Sequence, residues 1–201
     1  IIPYRLRWKL LLLFYKRQFL KFLRTQNVGD IQTSMPYPHP PDSLIEATLL
    51  QNKTDLGHRK NKDFLTASGY AIVLPWFDFA TKAGMNLRQV RSIMEFGCGS
   101  GRILNILRHL KGVNLTGTDL NPDAVDWCSK AMPEISFFQN NPKPPLVEFN
   151  DQCFDLVYTY SVFTHILTEA SEIGFKSFTG SLGQTSFYWR IFMARIIVTA
   201  Y

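Results

Sequence analysis

The sequence predicts an α/β fold with a parallel sheet, and two observations lead to this prediction. From Arg88 onward, short apolar segments alternate with segments of helical periodicity. This alternation is typical of strands joined by crossover helices, which leave the strands parallel. The chain also has 201 residues, of which 46% are hydrophobic and 19% are charged. It is therefore long enough to bury a core and too apolar to be disordered.

The predicted chain has four strands and five helices, and all four strands lie after residue 88. Four strands are predicted, at 91–96, 114–118, 135–138 and 154–163. Helices are predicted between them and upstream of them, at 4–24, 44–51, 64–82, 102–110 and 122–132. Four prolines in 31–43 mark a linker, a break near Pro75 is expected in the third helix, and Gly84 is expected to end that helix.

The positive charge of the chain is concentrated at its beginning. Residues 1–30 carry seven of the 22 Lys and Arg residues and one of the 16 acidic residues, so the charges of the remaining chain cancel. A nucleic-acid-binding core is therefore not expected. The basic amphipathic helix over 4–24 has two interpretations. It packs on a domain of the protein, or it lies on an anionic membrane surface with Trp8, Phe14 and Phe19 inserted.

Cysteine usage and hydropathy indicate a compartment. Cys98, Cys128 and Cys153 form an odd set without paired spacing. Neither a disulfide framework nor a zinc site is expected, and no metal is predicted. The apolar run over 10–15 is much shorter than the roughly 20 residues of a membrane span. We therefore predict a cytoplasmic protein, with attachment to a membrane surface as the alternative.

The strongest local signal is the segment EFGCGSG at 95–101, where the first predicted strand meets a helix. Glycines at this point allow a tight turn and a close approach of a ligand, which the free N–H groups of the helix start can bind. Arg102 stands where a dinucleotide fingerprint has its third glycine. The GxGxG spacing with Glu95 before it favours S-adenosylmethionine (SAM) over a nicotinamide cofactor.

Two further segments add candidate residues. Asp119 ends the second predicted strand, 18 residues after Gly101, where a carboxylate can accept both hydrogen bonds of a ribose diol. The alternative role of Asp119 is a helix N-cap. In FDLVYTYSVFTHI at 154–166, Asp155 is expected to be structural. The candidates for lining a methyl-transfer site there are Tyr160, Ser161 and His165. His165 is a weak candidate for a general base, because such a histidine is more often a loop residue.

Taken together, the strings MEFGCGSGR, GTDLNP and FDLVYTYSVFTHI resemble, in this order, the class I SAM-dependent methyltransferases. The resemblance is strongest to a bacterial branch often found beside glycosyltransferases. It covers 88–168 and extends weakly upstream through 37–69. It implies a doubly wound, Rossmann-like SAM-binding fold and methyl transfer to an unknown small-molecule or glycan acceptor.

The resemblance also implies roles for individual residues. The loop around the methionine moiety would consist of Glu95, Gly97, Cys98, Gly99 and Gly101. Asp119 would bind the ribose hydroxyls, Leu120 would flank the adenine, and Asn140 or Asn141 would contact the adenine amino group. Ser161 would lie near the sulfonium.

The family pattern ends after Thr168. We divide the chain into a basic helix at 1–30, a linker and helical cap at 31–87, a SAM-binding core at 88–168 and an aberrant tail at 169–201. A frame shifted back by one base from Ile173 permits the missing family string WIQEFHRVLRP. We therefore expect an out-of-frame tail from about residue 170 and a C-terminally truncated sheet, whose fourth strand is an exposed apolar edge unless the tail covers it. Methyl transfer would then be impaired, and a non-catalytic SAM-binding remnant or interaction module is the alternative.

Overall fold

The computed structural model describes residues 4–26, 38–49, 62–141, 149, 154–160 and 162. The helices are α1 (Tyr4–Thr25), α2 (Asp42–Leu49), α3 (Lys62–Lys82), α4 (Leu104–Leu107) and α5 (Pro122–Ala131). The strands are β1 (Ser92–Phe96), β2 (Asn114–Asp119), β3 (Ser136–Gln139) and β4 (Leu156–Thr159). The chain divides into two compact units, Ile1–Arg88 with Ser100–Lys111, and Gln89–Gly99 with Gly112–Tyr201.

In the helical unit, α1 packs along α3. Phe19 is 1% exposed, and its ring lies 5.5 Å from the ring of Tyr70 and 6.2 Å from that of Phe77. Trp8 contacts the ring of Phe64 edge to face at 4.6 Å. The prediction that the basic helix packs on its own protein is confirmed. The expected insertion of Phe19 into a membrane is wrong, because this ring is part of the core.

Helix α3 continues through Pro75, so the predicted break does not occur. A proline removes one backbone donor, but Val73 and Phe77 on either side are buried and keep the helix packed. The helix ends as predicted. Gly84 takes a φ of 95°, and its N–H donates to Thr81 O at 3.0 Å. Helix α4 is shorter than the predicted 102–110, since short-range bonds such as Leu110 N to Leu107 O tighten its end.

The second unit is a four-stranded sheet in the order β3-β2-β1-β4. All three strand pairs are parallel, and α5 packs on β2 and β3. The chain adds strands in one direction from β1 to β3 and then returns to the other side of β1 with β4. This reversal is the defining feature of a doubly wound sheet, so the predicted fold class is confirmed.

The N-terminal edge of the sheet is held by Asp155, which lies just before β4. Its Oδ2 accepts hydrogen bonds from the N–H groups of Arg91 and Ser92, at 2.7 and 2.9 Å, and from the Ser92 hydroxyl at 3.0 Å. The Asp155 N–H donates back to Ser92 O. Asp155 therefore joins β1 to β4, and its predicted structural role is confirmed.

Strand β4 lies at one edge of the described sheet, yet all four of its residues are buried. Burial of these side chains does not test the predicted exposed edge, which concerns the unpaired side of the strand, and the exposed edge stays a prediction. The tail at 169–201 lies outside the described residues, and its out-of-frame origin stays a prediction.

No helix within the described ranges is both long and apolar enough to cross a bilayer.

Candidate functional site

The candidate site lies at the C-terminal edge of the sheet. In doubly wound sheets, ligands bind at this edge where the strand order reverses. Here the reversal lies between β1 and β4, and the glycine loop follows β1 directly. The topology therefore places the sequence-predicted loop at the expected ligand position.

Backbone geometry fixes the start of this loop. The N–H groups of Gly97 and Cys98 both donate to Thr118 O at the end of β2, at 2.7 and 2.9 Å. Gly97 has a φ of 72°, in the left-handed region, and a Cβ at this position would overlap the side chain of Val162. Only glycine satisfies both the conformation and the close approach. Val162 is thus a loop neighbour that sequence reasoning missed.

Asp119 connects the loop to β2. Its Oδ2 accepts the N–H of Gly99 at 2.6 Å, and its Oδ1 accepts the N–H of Asn121 at 2.9 Å. Asn121, not Asp119, is the N-cap of α5, because its side chain accepts the N–H of Asp123 at 3.0 Å. The N-cap alternative for Asp119 is therefore wrong. Each of its carboxylate oxygens keeps acceptor capacity beyond these bonds.

Asn140 follows β3 at the same edge. Its N–H donates to Asp119 O at 2.8 Å, and its side chain is 4% exposed. Among the described residues, Asn140 Oδ1 has no hydrogen-bond partner. Buried amide oxygens are normally satisfied, so an unsatisfied one points to a missing donor such as a ligand or a water. Asn141 is exposed, and Leu120 is 50% exposed.

A buried hydrogen-bonded pair, Glu95 and Tyr158, lies next to the loop. The Tyr158 hydroxyl donates to Glu95 Oε2 at 3.1 Å, and the two residues are paired across β4 and β1. Burial and the neighbouring Glu95 raise the pKa of Tyr158 well above its ordinary value. Tyr158 is therefore neutral and acts as the hydrogen-bond donor of the pair. Sequence reasoning missed this contact, because the two residues lie on different predicted strands and no local pattern pairs them.

The thiol of Cys98 belongs to the same region. A hydrogen bond with the Cys128 thiol, then burial and the charge of Glu95, raise the pKa of Cys98 well above its ordinary value. Cys128 Sγ lies 3.5 Å from Gly99 O. Because a raised pKa keeps the Cys98 thiol protonated, this side chain is not a nucleophile. Cys98 instead contributes to the loop through its backbone N–H, which donates to Thr118 O.

Two buried hydroxyls complete the edge and were also missed by sequence reasoning. Thr118 is the last but one residue of β2 and Thr159 is the last residue of β4, and both pair with Phe96 in the register of the sheet. Their hydroxyls have no hydrogen-bond partner within the part of the chain that the structure describes. Polar residues at the ends of otherwise buried strands are the signal that could have found them.

The structure gives few contacts for the remaining predicted site residues. Gly101 has a φ of 68°, and its carbonyl accepts the N–H of Asn105 at 2.8 Å. Tyr160 is exposed. Ser161 and His165 lie outside the described residues. No cluster of three or more His, Cys, Asp and Glu side chains suited to a metal occurs within the described ranges.

The sheet has a glycine loop at its switch point and a carboxylate at the end of β2, which is the arrangement at which doubly wound folds commonly bind nucleotide-containing cofactors. Residues 93–182 match the model of the methyltransferase domain family. The matched segment is therefore similar to methyltransferase domains, whose class I members use SAM as their cofactor. No curated protein matches the sequence.

Several solved structures resemble this chain at low identity. A TehB-like SAM-dependent methyltransferase from Corynebacterium glutamicum is 23% identical, with a TM-score of 0.44, and the match covers 59% of this chain and 69% of that one. DesVI from Streptomyces venezuelae is 18% identical, with a TM-score of 0.48, covering 74% and 56%. The SAM-bound amino pentose methyltransferase CalS10 from Micromonospora echinaspora is 14% identical, with a TM-score of 0.45, covering 54% and 45%. The chain thus spans about half the length of the last two.

Proposed function

We propose that this chain binds SAM at the C-terminal edge of its sheet and transfers the methyl group to a small-molecule acceptor. The observation that carries the proposal is the buried, unpartnered Asn140 Oδ1 beside Asp119. It is an acceptor at the position where the exocyclic amine of an adenine would donate. The residues present therefore fit the cofactor of the family.

The other binding roles follow from the geometry of the edge. Asp119 already orients the loop through Gly99 N–H and retains lone pairs for a ribose diol. The exposed side chain of Leu120 offers an apolar surface to an adenine face. Glu95, held by the Tyr158 hydroxyl, supplies negative charge beside the loop, which suits the ammonium group of a methionine moiety.

When bound, SAM would supply an electrophilic methyl group on its sulfonium: an acceptor lone pair would form the new bond to the methyl carbon as the C–S bond breaks, and the sulfur would leave as a neutral thioether. The contribution of the protein is to hold the two reactants in alignment, and alignment alone accounts for a large part of the rate in such reactions. A dedicated base is therefore not required. Tyr160, Ser161 and His165 are proposed to line the acceptor side, and a glycan is the proposed acceptor class on the strength of the family resemblance alone.

The test uses isothermal titration calorimetry of the full chain with SAM and, separately, with NADH. Asn140→Leu removes the unpartnered acceptor, and Asn141→Leu is the matched control at the exposed neighbour. A lost hydrogen bond of about 1–3 kcal/mol corresponds to a roughly 5- to 150-fold weaker SAM affinity. Thermal stability without ligand should not fall in Asn140→Leu, since no partner inside the described chain is lost.

The possible outcomes separate the alternatives. Equal SAM affinity in Asn140→Leu and the wild type would remove Asn140 from the site. Binding of NADH but not of SAM would overturn the proposed cofactor. SAM binding without transfer of a tritiated methyl group to a panel of sugars and sugar nucleotides would favour the non-catalytic binding module, which is the result expected if the tail impairs the chain.

A further inference from the structure

Helix α1 has a second apolar surface that its packing on α3 does not use. Phe19 and Leu23 face the core, whereas four large apolar side chains on the other side of the helix are 45–53% exposed. We call these four residues the apolar stripe; they are Leu6, Leu10, Leu13 and Phe14. Their spacing of three and four residues puts them on one face by the 3.6-residue repeat.

The charge around the apolar stripe is exclusively positive. α1 contains seven Lys and Arg residues and no acidic residue. By the helical repeat, Arg7 and Lys9 flank the stripe on its two sides, and the same face continues toward the C-terminus as Arg17, Lys21 and Arg24. These five side chains are exposed. An apolar stripe bordered by cations is the pattern of a helix that lies in the interface of an anionic bilayer.

We propose that the apolar stripe of α1 docks the protein on an anionic lipid surface, with the helix lying parallel to the bilayer. Charge complementarity selects this occupant. A second copy of α1 would bring two sets of seven positive charges together, and like charges at short range repel. An anionic leaflet instead attracts each Lys and Arg near its surface, while the stripe enters the boundary between headgroups and acyl chains. The proposal is independent of the proposed methyl transfer.

The two halves of the proposed surface can be tested separately. Leu10→Ser with Leu13→Ser removes the centre of the stripe, and Arg17→Gln with Lys21→Gln and Arg24→Gln removes three charges from the same face. The matched control is Lys62→Gln with Lys82→Gln and Lys130→Gln, which removes three exposed positive charges elsewhere. All of these side chains are exposed, so the fold should persist, and circular dichroism melting checks it.

The measurement is co-sedimentation of the full chain with vesicles of phosphatidylcholine alone or of phosphatidylcholine mixed with the anionic lipid phosphatidylglycerol. We expect binding to the anionic vesicles only. Removal of three charges should weaken it on the order of a hundredfold, at about fivefold per charge. The serine variant should also lose binding, and the control should change little.

Three results would overturn the proposal. Equal binding to neutral vesicles would show that charge does not select the surface. Equal binding by the control and the Arg17–Lys21–Arg24 variant would place the attraction elsewhere. Absence of vesicle binding, together with a dimer that the serine variant converts to a monomer in light scattering, would show that a second copy covers the stripe.

Discussion

The two edges of the sheet use their polar groups in opposite ways. At the N-terminal edge, one oxygen of Asp155 accepts three hydrogen bonds from Arg91 and Ser92. At the C-terminal edge, the hydroxyls of Thr118 and Thr159 and the Oδ1 of Asn140 are buried and have no partner in the described chain. Both edges belong to the same unit and to the same strands.

This difference separates stability from binding within one sheet. Because a satisfied polar group stabilises the fold whereas an unsatisfied buried one destabilises it, the N-terminal edge should contribute stability. The C-terminal edge should contribute affinity, since a ligand that supplies the missing partners recovers the lost hydrogen bonds. Substitutions at the two edges should therefore affect different measurements.

The largest effect is expected at the two left-handed glycines, one at each edge. Gly97 and Gly112 both have a φ of 72°, but a Cβ would overlap Val162 at Gly97 and would meet nothing within 4 Å at Gly112. The left-handed conformation costs alanine about 1–2 kcal/mol, and overpacking adds about 1–3 kcal/mol. We expect Gly97→Ala to lower the free energy of unfolding by about 2–5 kcal/mol, and Gly112→Ala by about 1–2 kcal/mol.

Urea denaturation measures the loss of stability, and calorimetry measures SAM binding in both variants. Gly97→Ala should also abolish SAM binding, because the loop cannot keep its conformation, whereas Gly112→Ala should bind normally. Equal losses of stability in the two variants would show that the overlap with Val162 does not destabilise the fold. The glycines at the two edges would then not differ in their contribution to the free energy of unfolding.

An intermediate effect is expected from Asp155→Ala, which removes the acceptor of the N-terminal edge. Leaving the N–H groups of Arg91 and Ser92 without this partner should lower the free energy of unfolding by about 1–3 kcal/mol. The SAM affinity should be unchanged. The control is Asp126→Ala, which removes an exposed i,i+4 ion pair with Lys130 at 2.6 Å and should change stability by less than about 0.5 kcal/mol because water screens the pair. A large fall in SAM affinity in Asp155→Ala would mean that the two edges are coupled.

Features that depend on local patterns in the sequence could be predicted, whereas features that depend on contacts between distant residues could not. The positions of the strands and of the glycine loop were predictable because periodicity and a glycine pattern are local signals. The N-cap role of Asn121, rather than of Asp119, was not, since both residues fit the pattern and only the three-dimensional position of Gly99 decides between them. The hydroxyl of Tyr158 reaches Glu95 across 63 residues of sequence, and no local pattern reports such a pairing. The positions of Ser161 and His165 stay predictions.

The smallest effect concerns the buried thiol of Cys98 and is a pH dependence. The pKa of Cys98 in the folded protein lies well above the ordinary value of 9.0, which applies to the unfolded chain. Below about pH 8 both states hold the proton, so the thiol adds no pH dependence. As the pH rises through 9, the unfolded state loses this proton and the folded state keeps it. The free energy of unfolding should therefore fall, by at most about 1.4 kcal/mol per pH unit.

Urea denaturation at several values between pH 7 and 10 measures this slope in the wild type and in Cys98→Ala. The variant should be less stable at pH 7 because a buried group is lost, but its decline above pH 8.5 should be shallower. The raised pKa of Tyr158 acts in the same direction from about pH 10 and is common to both proteins, so the difference isolates the thiol. Identical slopes would mean that Cys98 ionises in the folded protein. The loop at the C-terminal edge would then tolerate a thiolate beside Glu95, and the burial that distinguishes this edge would be weaker than its geometry indicates.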